Sequence, residues 1–225
     1  MTTESATPVP TVHTVDVSEL LFDMDGTLVN SIPAVEHAWR EWASEEGVEL
    51  PETLSFHGRT ARDLVGSFVA ADRVDGAVDR LNELESTSTE PIPTTPGALD
   101  LIASLPRERW AVVTSAALPV AKARLAAGRI PMPEHLITGD AVVNGKPDPE
   151  PFHKGQRNEG TAIAFEDTVA GLRSARGAGC ITVAIVGTMQ ADDLRDFADY
   201  VVPDLTSVTV VAAGESGLTL RIEAI

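Results

Sequence analysis

Residues 22–30 read FDMDGTLVN and follow directly on an apolar run, Ser18–Phe22. Two carboxylates at the end of a run that reads as a buried strand repel one another and prefer water. Residues i and i+2 of an extended chain point to the same side, so Asp23 and Asp25 project together, with Met24 as the spacer. Gly26 lets the backbone turn away tightly and approach a ligand closely. Taken alone, Asp-x-Asp-Gly suits a solvated turn as well as a cation site.

Working outward, further short apolar runs end in glycine, aspartate or threonine: Trp110–Val113, Leu136–Ile137, Ala162–Phe165, Ile181–Val186 and Tyr200–Val202. Between them lie helix-like stretches at Gly97–Leu105, Pro119–Gly128, Val169–Gly179 and Ala191–Ala198. Strands alternating with helices of this length form βαβ units, hence an α/β fold whose parallel sheet is covered on both faces.

The alternation breaks between Ser31 and about Glu90, which has no convincing strand. Ser31 suits a helix cap, Pro33 suits the first turn, and Ile32, Val35, Trp39, Trp42 and Ala43 recur at helical spacing. A second helix is expected near Thr60 and a third over Asp75–Leu84. The proline-rich stretch 86–97 then returns the chain to the sheet, because closely spaced prolines cannot continue a helix. The expected division is a loose tail over 1–15, a catalytic core of 16–30 and 93–225, and a small all-helical cap over 31–92. The spacing of Trp39 and Trp42 favours packing over ligand binding.

Composition narrows the function. The chain has 225 residues, 43% hydrophobic, enough for one sizeable core plus a small accessory domain. Its 34 acidic residues against 17 basic give a net charge of −17, which argues against nucleic acid or an anionic membrane as partner. A phosphorylated substrate has to be held by a local positive site against that global field. The lone cysteine, Cys180, excludes an internal disulfide and is expected to be a small core residue in a reducing compartment. No apolar run is long enough to span a membrane, and the amino-terminal stretch lacks a secretory pattern. A cytoplasmic monomer is the expectation.

Three features strengthen the cation reading of the paired aspartates. Thr114 and Ser115 end one strand-like run, and Glu166 with Asp167 ends another. Lys146 sits in GKPDP, a proline-stiffened loop between them. The carboxyl ends of strands in an open parallel sheet converge on one crevice where ligands bind. Four carboxylates meeting there need a positive charge, and a hard divalent cation held by oxygen ligands supplies it. Each residue also has an ordinary structural explanation: Thr114 or Ser115 as a helix cap, Lys146 as a surface cation, Glu166 as a charge favoured at a helix start.

FDMDGTLV, VVTS, GKPDPEPF and FEDTVAGLRSARGAG resemble, in order and spacing, the four motifs of the haloacid dehalogenase superfamily of aspartyl-phosphate enzymes. The likeness runs from Leu20 to about Leu205. It implies a Rossmann-like parallel core with helices on both faces and a small inserted helical cap. LVNSIPAVEHAW, FHGRTARD and IPMPEHLITGDAVVNGKPDPEPF are similar to the branch of 2-deoxyglucose-6-phosphate and glycerol phosphate phosphatases and β-phosphoglucomutase-like proteins.

The resemblance implies roles. Asp23 attacks phosphorus, Asp25 protonates the leaving group and then accepts a proton from water, Thr114 and Ser115 hold phosphoryl oxygens, and Lys146 neutralises charge. Mg²⁺ is bound by Asp23, the Asp25 carbonyl and Asp167, with Glu166 as ligand or support. His57, Gly58 and Arg59 fall in the specificity segment of the cap, and Arg59 or Arg62 is placed to meet substrate. The implied activity is a Mg²⁺-dependent phosphatase of small sugar or polyol phosphates. Asn30 departs from the aspartate more usual in this branch. A phosphosugar mutase shares all four motifs but carries a cap arginine where Ala61 stands. A non-catalytic phosphosugar-binding module needs no nucleophile, and a dehalogenase leaves Asp25 and the metal ligands idle. The polar stretch after Phe152 leaves room for only a short helix before the next strand.

Overall fold

The computed structural model describes residues 10–51, 60–214 and 217–225. Its elements, in order, are β1 (Thr11–Val17), β2 (Leu20–Phe22), α1 (Ile32–Glu46), α2 (Ala61–Val65), α3 (Val74–Thr87), α4 (Ala98–Ala103), β3 (Trp110–Val113) and α5 (Leu118–Ala127). There follow β4 (Leu136–Ile137), α6 (Glu150–Gly155), β5 (Ile163–Glu166), α7 (Val169–Gly177), β6 (Ile181–Ile185), α8 (Ala191–Leu194), β7 (Tyr200–Val202), β8 (Val208–Gly214) and β9 (Gly217–Ala224).

Six strands form a parallel sheet in the order β4-β3-β2-β5-β6-β7. The chain moves outward from β2 to β4, then restarts beside β2 with β5 and moves the other way. The order therefore reverses between β2 and β5, which is where ligands bind in open α/β sheets. Leu20, Leu21 and Phe22 are all fully buried because β2 is central and covered on both faces. The pleat sorts its neighbours: Leu20 and Phe22 pack with Val112, Phe165 and Val183 and with α4 and α5, while Leu21 packs with Ala111, Val113 and Ala164 against Phe152 and Ala175. Phe22 stacks on Phe165 at 4.9 Å between ring centroids.

The helical insertion has its own apolar cluster, in which Val35, Trp39 and Trp42 of α1 meet Leu64 of α2 and Leu81 of α3. Trp42 is fully buried, with its indole N–H donated to the Ala77 carbonyl at 3.0 Å. Helix α2 starts beside Thr60 as expected, and the Thr60 hydroxyl caps it by accepting from the Asp63 amide. Helix α3 continues to Thr87, beyond the expected end at Leu84, and in its last turn the Ser86 and Thr87 hydroxyls donate back to the Glu83 carbonyl. The outgoing and returning legs bond to one another, Asn30 N–H to Pro93 O and Thr95 N–H to Leu28 O.

Three expectations need correcting. Ser31 stands at the start of α1 but makes no side-chain cap there; its hydroxyl turns to Asp25 instead. The loose tail expected over 1–15 is strand from Thr11 onward, since β1 pairs antiparallel with β9 from Thr11↔Ala224 to Val17↔Leu218. The sequence reading also passed over the β8–β9 hairpin, which with β1 forms a three-stranded antiparallel sheet. Leu218, Leu220 and Ile222 of β9 join the main core, so this second sheet roofs one helical face. The short polar stretch after GKPDP is a six-residue helix, α6, anchored by fully buried Phe152. Cys180 is packed core: burial pushes its thiol up to about 11, and Gln156 donates to its sulfur at 3.4 Å.

Candidate active site

Each catalytic candidate stands at or just past the carboxyl end of a strand: Asp23 after β2, Thr114 after β3, Glu166 closing β5 with Asp167 next. The parallel registers Phe22↔Val112 and Phe22↔Phe165 bring these ends level. Lys146 reaches the same place from its loop, and its ammonium is buried with three acceptors. Asp23 Oδ1 lies at 2.6 Å, Glu166 Oε1 at 2.6 Å and the Val113 carbonyl at 2.9 Å. All three ammonium protons are thereby directed, so Lys146 acts as a fixed charge.

Glu166 is anchored on its other oxygen. Oε2 accepts from the Asp167 and Thr168 amides and from the Thr168 hydroxyl. With Lys146 on Oε1, this carboxylate is built to hold the lysine and the following turn. Asp167 is different: Thr188 donates to its Oδ2, while Oδ1 is buried without a hydrogen-bond partner. Two glycines leave room for this packing. A Cβ on Gly26, which has φ +90°, would sit 1.9 Å from Asp167 Oδ2, and one on Gly171 would sit 1.8 Å from Glu166 Cδ.

Burial dominates the electrostatics. Desolvation raises Asp23 to about 8, with Lys146 opposing and Glu166 and Asp25 adding to the rise. Asp167 is raised well above the carboxylate range by burial and by Asp23 and Glu166. Burial opposes the charge on Lys146, but Asp23 and Glu166 outweigh it and hold the ammonium above the usual lysine range. With all three carboxylates ionised, the one ammonium leaves two negative charges uncompensated, and this repulsion adds to burial in pushing Asp23 and Asp167 toward their protonated forms. Asp23, Glu166 and Asp167 offer oxygens within 4.8 Å of one another. An oxygen-only donor set with an orphaned carboxylate oxygen and this charge fits a hard divalent cation of the Mg²⁺ type.

Asp25 points into the same pocket but has separate partners. Its Oδ1 accepts from Ser31 Oγ at 2.5 Å and lies 2.8 Å from Arg124 Nη1. Thr114 is buried, and its hydroxyl oxygen accepts from the Ala116 amide at 3.1 Å, leaving its proton to donate; Ser115 lines the pocket itself. Trp39 of α1 and Leu64 of α2 close it from above. Arg62 borders an adjoining cleft, where it pairs with Asp75 at the surface. His57, Gly58 and Arg59 lie outside the described residues.

Sequence reasoning missed Arg124, Glu85, Thr188 and the role of Ser31. Arg124 left a signal: it shares the buried face of α5 with Val120, Ala121 and Leu125, an unusual place for a guanidinium. Thr188 lies in the loop after β6, which ends at Ile185, and its hydroxyl reaches Asp167 from there.

A family model described as haloacid dehalogenase-like hydrolase matches residues 20–179. Hexitol phosphatase A of Escherichia coli (strain K12) is 38% identical over 200 residues, covering 84% of this chain and 92% of that protein. 2-Deoxyglucose-6-phosphate phosphatase 2 of Saccharomyces cerevisiae is 30% identical over 230 residues, covering 90% and 94%. Among solved structures, a hydrolase from Pseudomonas syringae superposes with a TM-score of 0.74 at 22% identity, over 84% of this chain and 94% of that one. With those motifs assembled at the switch point of such a sheet, the chain belongs to the haloacid dehalogenase-like hydrolase family.

Proposed function

We propose that this chain is a Mg²⁺-dependent phosphatase of small phosphorylated sugars or polyols, working through an aspartyl-phosphate on Asp23. The observation that carries it is the buried Lys146, which joins Asp23 to Glu166 beside the orphaned oxygen of Asp167. Lys146 takes Asp23 Oδ1 and leaves Oδ2 to attack phosphorus. As the P–O bond to the substrate breaks, Asp25 donates a proton to the departing oxygen. Water then attacks the acyl phosphate, Asp25 takes its proton, and Asp23 is released with inorganic phosphate. Asp23, Asp167 and the Asp25 carbonyl would hold Mg²⁺, which when bound supplies positive charge for the phosphoryl oxygens. Thr114 and Ser115 donate hydrogen bonds to those oxygens.

Residues 31–92 act as a cap over the core of 16–30 and 93–225, with the hydrogen-bonded legs of its neck as the hinge. Between α2, α3 and the core loops lies a cleft of about 520 Å³ lined by Arg62, Asn82 and Asp140, in the size range of small-molecule sites. It adjoins the catalytic pocket, as a leaving-group site must. The names of the two relatives above support a sugar or polyol phosphate as substrate.

The test is phosphate release from a panel of sugar and polyol monophosphates, with Asp23→Asn and chelator controls. Release that is abolished by both supports the reading. Undiminished turnover in Asp23→Asn overturns the mechanism, and chelator-resistant turnover removes the metal. Interconversion of hexose 1- and 6-phosphates without phosphate release would make the chain a mutase.

A further inference from the structure

We propose that Arg124 is a positioning residue that sets the Asp25 carboxyl and, through Glu85, makes that setting depend on the seating of α3. The inference rests on Asp25 being the proton carrier of the proposed reaction. Arg124 stands on α5 in the core, with its side chain only 5% exposed. One end of its guanidinium, Nη1, lies 2.8 Å from Asp25 Oδ1, and the other, Nη2, lies 3.0 Å from Glu85 Oε1. Glu85 belongs to α3, the last helix of the insertion, and is itself nearly buried. One planar group thus ties the nucleophile loop, a core helix and a cap helix together.

A buried charged triad is a costly way to fill space. Apolar side chains of the same volume often stabilise a site as well or better, so packing alone does not account for it. What a guanidinium adds is direction, because its donors are fixed in one plane and hold two carboxylates at set angles. Asp25 Oδ1 receives both Arg124 and Ser31, which leaves Oδ2 to carry the proton. In the first step that proton passes from Oδ2 to the substrate oxygen, whose bond to phosphorus breaks and leaves its electron pair behind. A carboxyl turned by tens of degrees misses that oxygen. With Glu85 withdrawn by movement of α3, Arg124 loses one of its two anchors, so the acid is aimed only when the cap is seated.

The readout is leaving-group dependence. A hexitol 6-phosphate departs as an alkoxide and needs the proton, whereas 4-nitrophenyl phosphate departs as a stable phenolate without it. Because kcat/KM reports the phosphoryl-transfer step, the two substrates isolate the acid from the later hydrolysis. Asp25→Asn is expected to lower kcat/KM on the hexitol phosphate about 10²-fold more than on the aryl phosphate. Arg124→Lys and Arg124→Met should show the same selectivity at about tenfold, and Glu85→Gln a smaller effect of the same sign. Inhibition by inorganic phosphate should be unchanged in all three, since both ends of the Arg124 guanidinium are taken by Asp25 and Glu85. If Arg124→Met fails to fold, Arg124→Lys and the apolar double variant Arg124→Met/Glu85→Met carry the test. Equal losses on both substrates in the Arg124 variants, with Asp25→Asn selective, overturn the inference and leave the proposed reaction intact. Selectivity in Arg124→Lys but none in Glu85→Gln overturns the link to the cap. No selectivity in Asp25→Asn overturns the role of Asp25 itself, and this inference with it.

Discussion

Lys146 is buried, and its ammonium donates to two carboxylates and a carbonyl, so its partners favour the charge that burial opposes. Replacing it by methionine leaves Asp23, Glu166 and Asp167 facing one another with no fixed cation. Lys146→Met is expected to lower kcat by about 10²–10³-fold, measured as phosphate release at saturating sugar phosphate. Asp23 yields a second expectation, for the chelated protein. Its carboxyl titrates near 3.8 when unfolded and at about 8 when folded, so between those values the folded state binds more protons. Stability therefore falls as pH rises through that window. The urea midpoint of EDTA-treated protein should drop between pH 5 and 8 more steeply than that of Asp23→Asn, and Mg²⁺ should flatten the wild-type slope. Equal slopes for the two chelated proteins would refute this account of Asp23.

Among the elements, α7 shows how closely a helix start can be fitted to the site. Thr168 caps it through the Gly171 amide, and the same hydroxyl donates to Glu166. Gly171 is where Glu166 lies, leaving no space for even a methyl group. Gly171→Ala is expected to push Glu166 off Lys146, costing about 1–3 kcal/mol of stability by chemical denaturation and lowering activity with it. A fully active, equally stable variant would show that the turn yields freely. Helices α1 to α3 form their own apolar cluster, yet α3 also carries Glu85 to Arg124 of the core. Because α3 runs on to Thr87, Glu85 stands in regular helix.

For the whole molecule, the antiparallel sheet of β1, β9 and β8 closes a core that the parallel sheet leaves open on one side. Leu220 and Ile222 are fully buried there, and β1 flanks them. Deleting residues 1–17 is expected to expose them and lower Tm by several degrees, at about 2–4 °C per kcal/mol for a chain of this size. An unchanged Tm would mean that β1 contributes no stability. The parallel sheet, its helices, the strand-end placement of Asp23, Thr114, Glu166 and Asp167 and the loop position of Lys146 were legible beforehand, because each depends on short-range pattern: an apolar run, a turn, a polar residue at a fixed offset. The β1 strand was not legible, since alternating polar residues in TVHTVDV become a strand only when β9 arrives from the other end of the chain. Nor were Arg124 with Glu85, or Thr188 with Asp167, separated by 39 and 21 residues in sequence. The sequence by itself determined the parallel sheet, the inserted helices and the short motifs that carry the carboxylates and the lysine, each of which is a local pattern. Only the tertiary structure decided which buried charges meet, because those pairings depend on long-range contacts that no local period records.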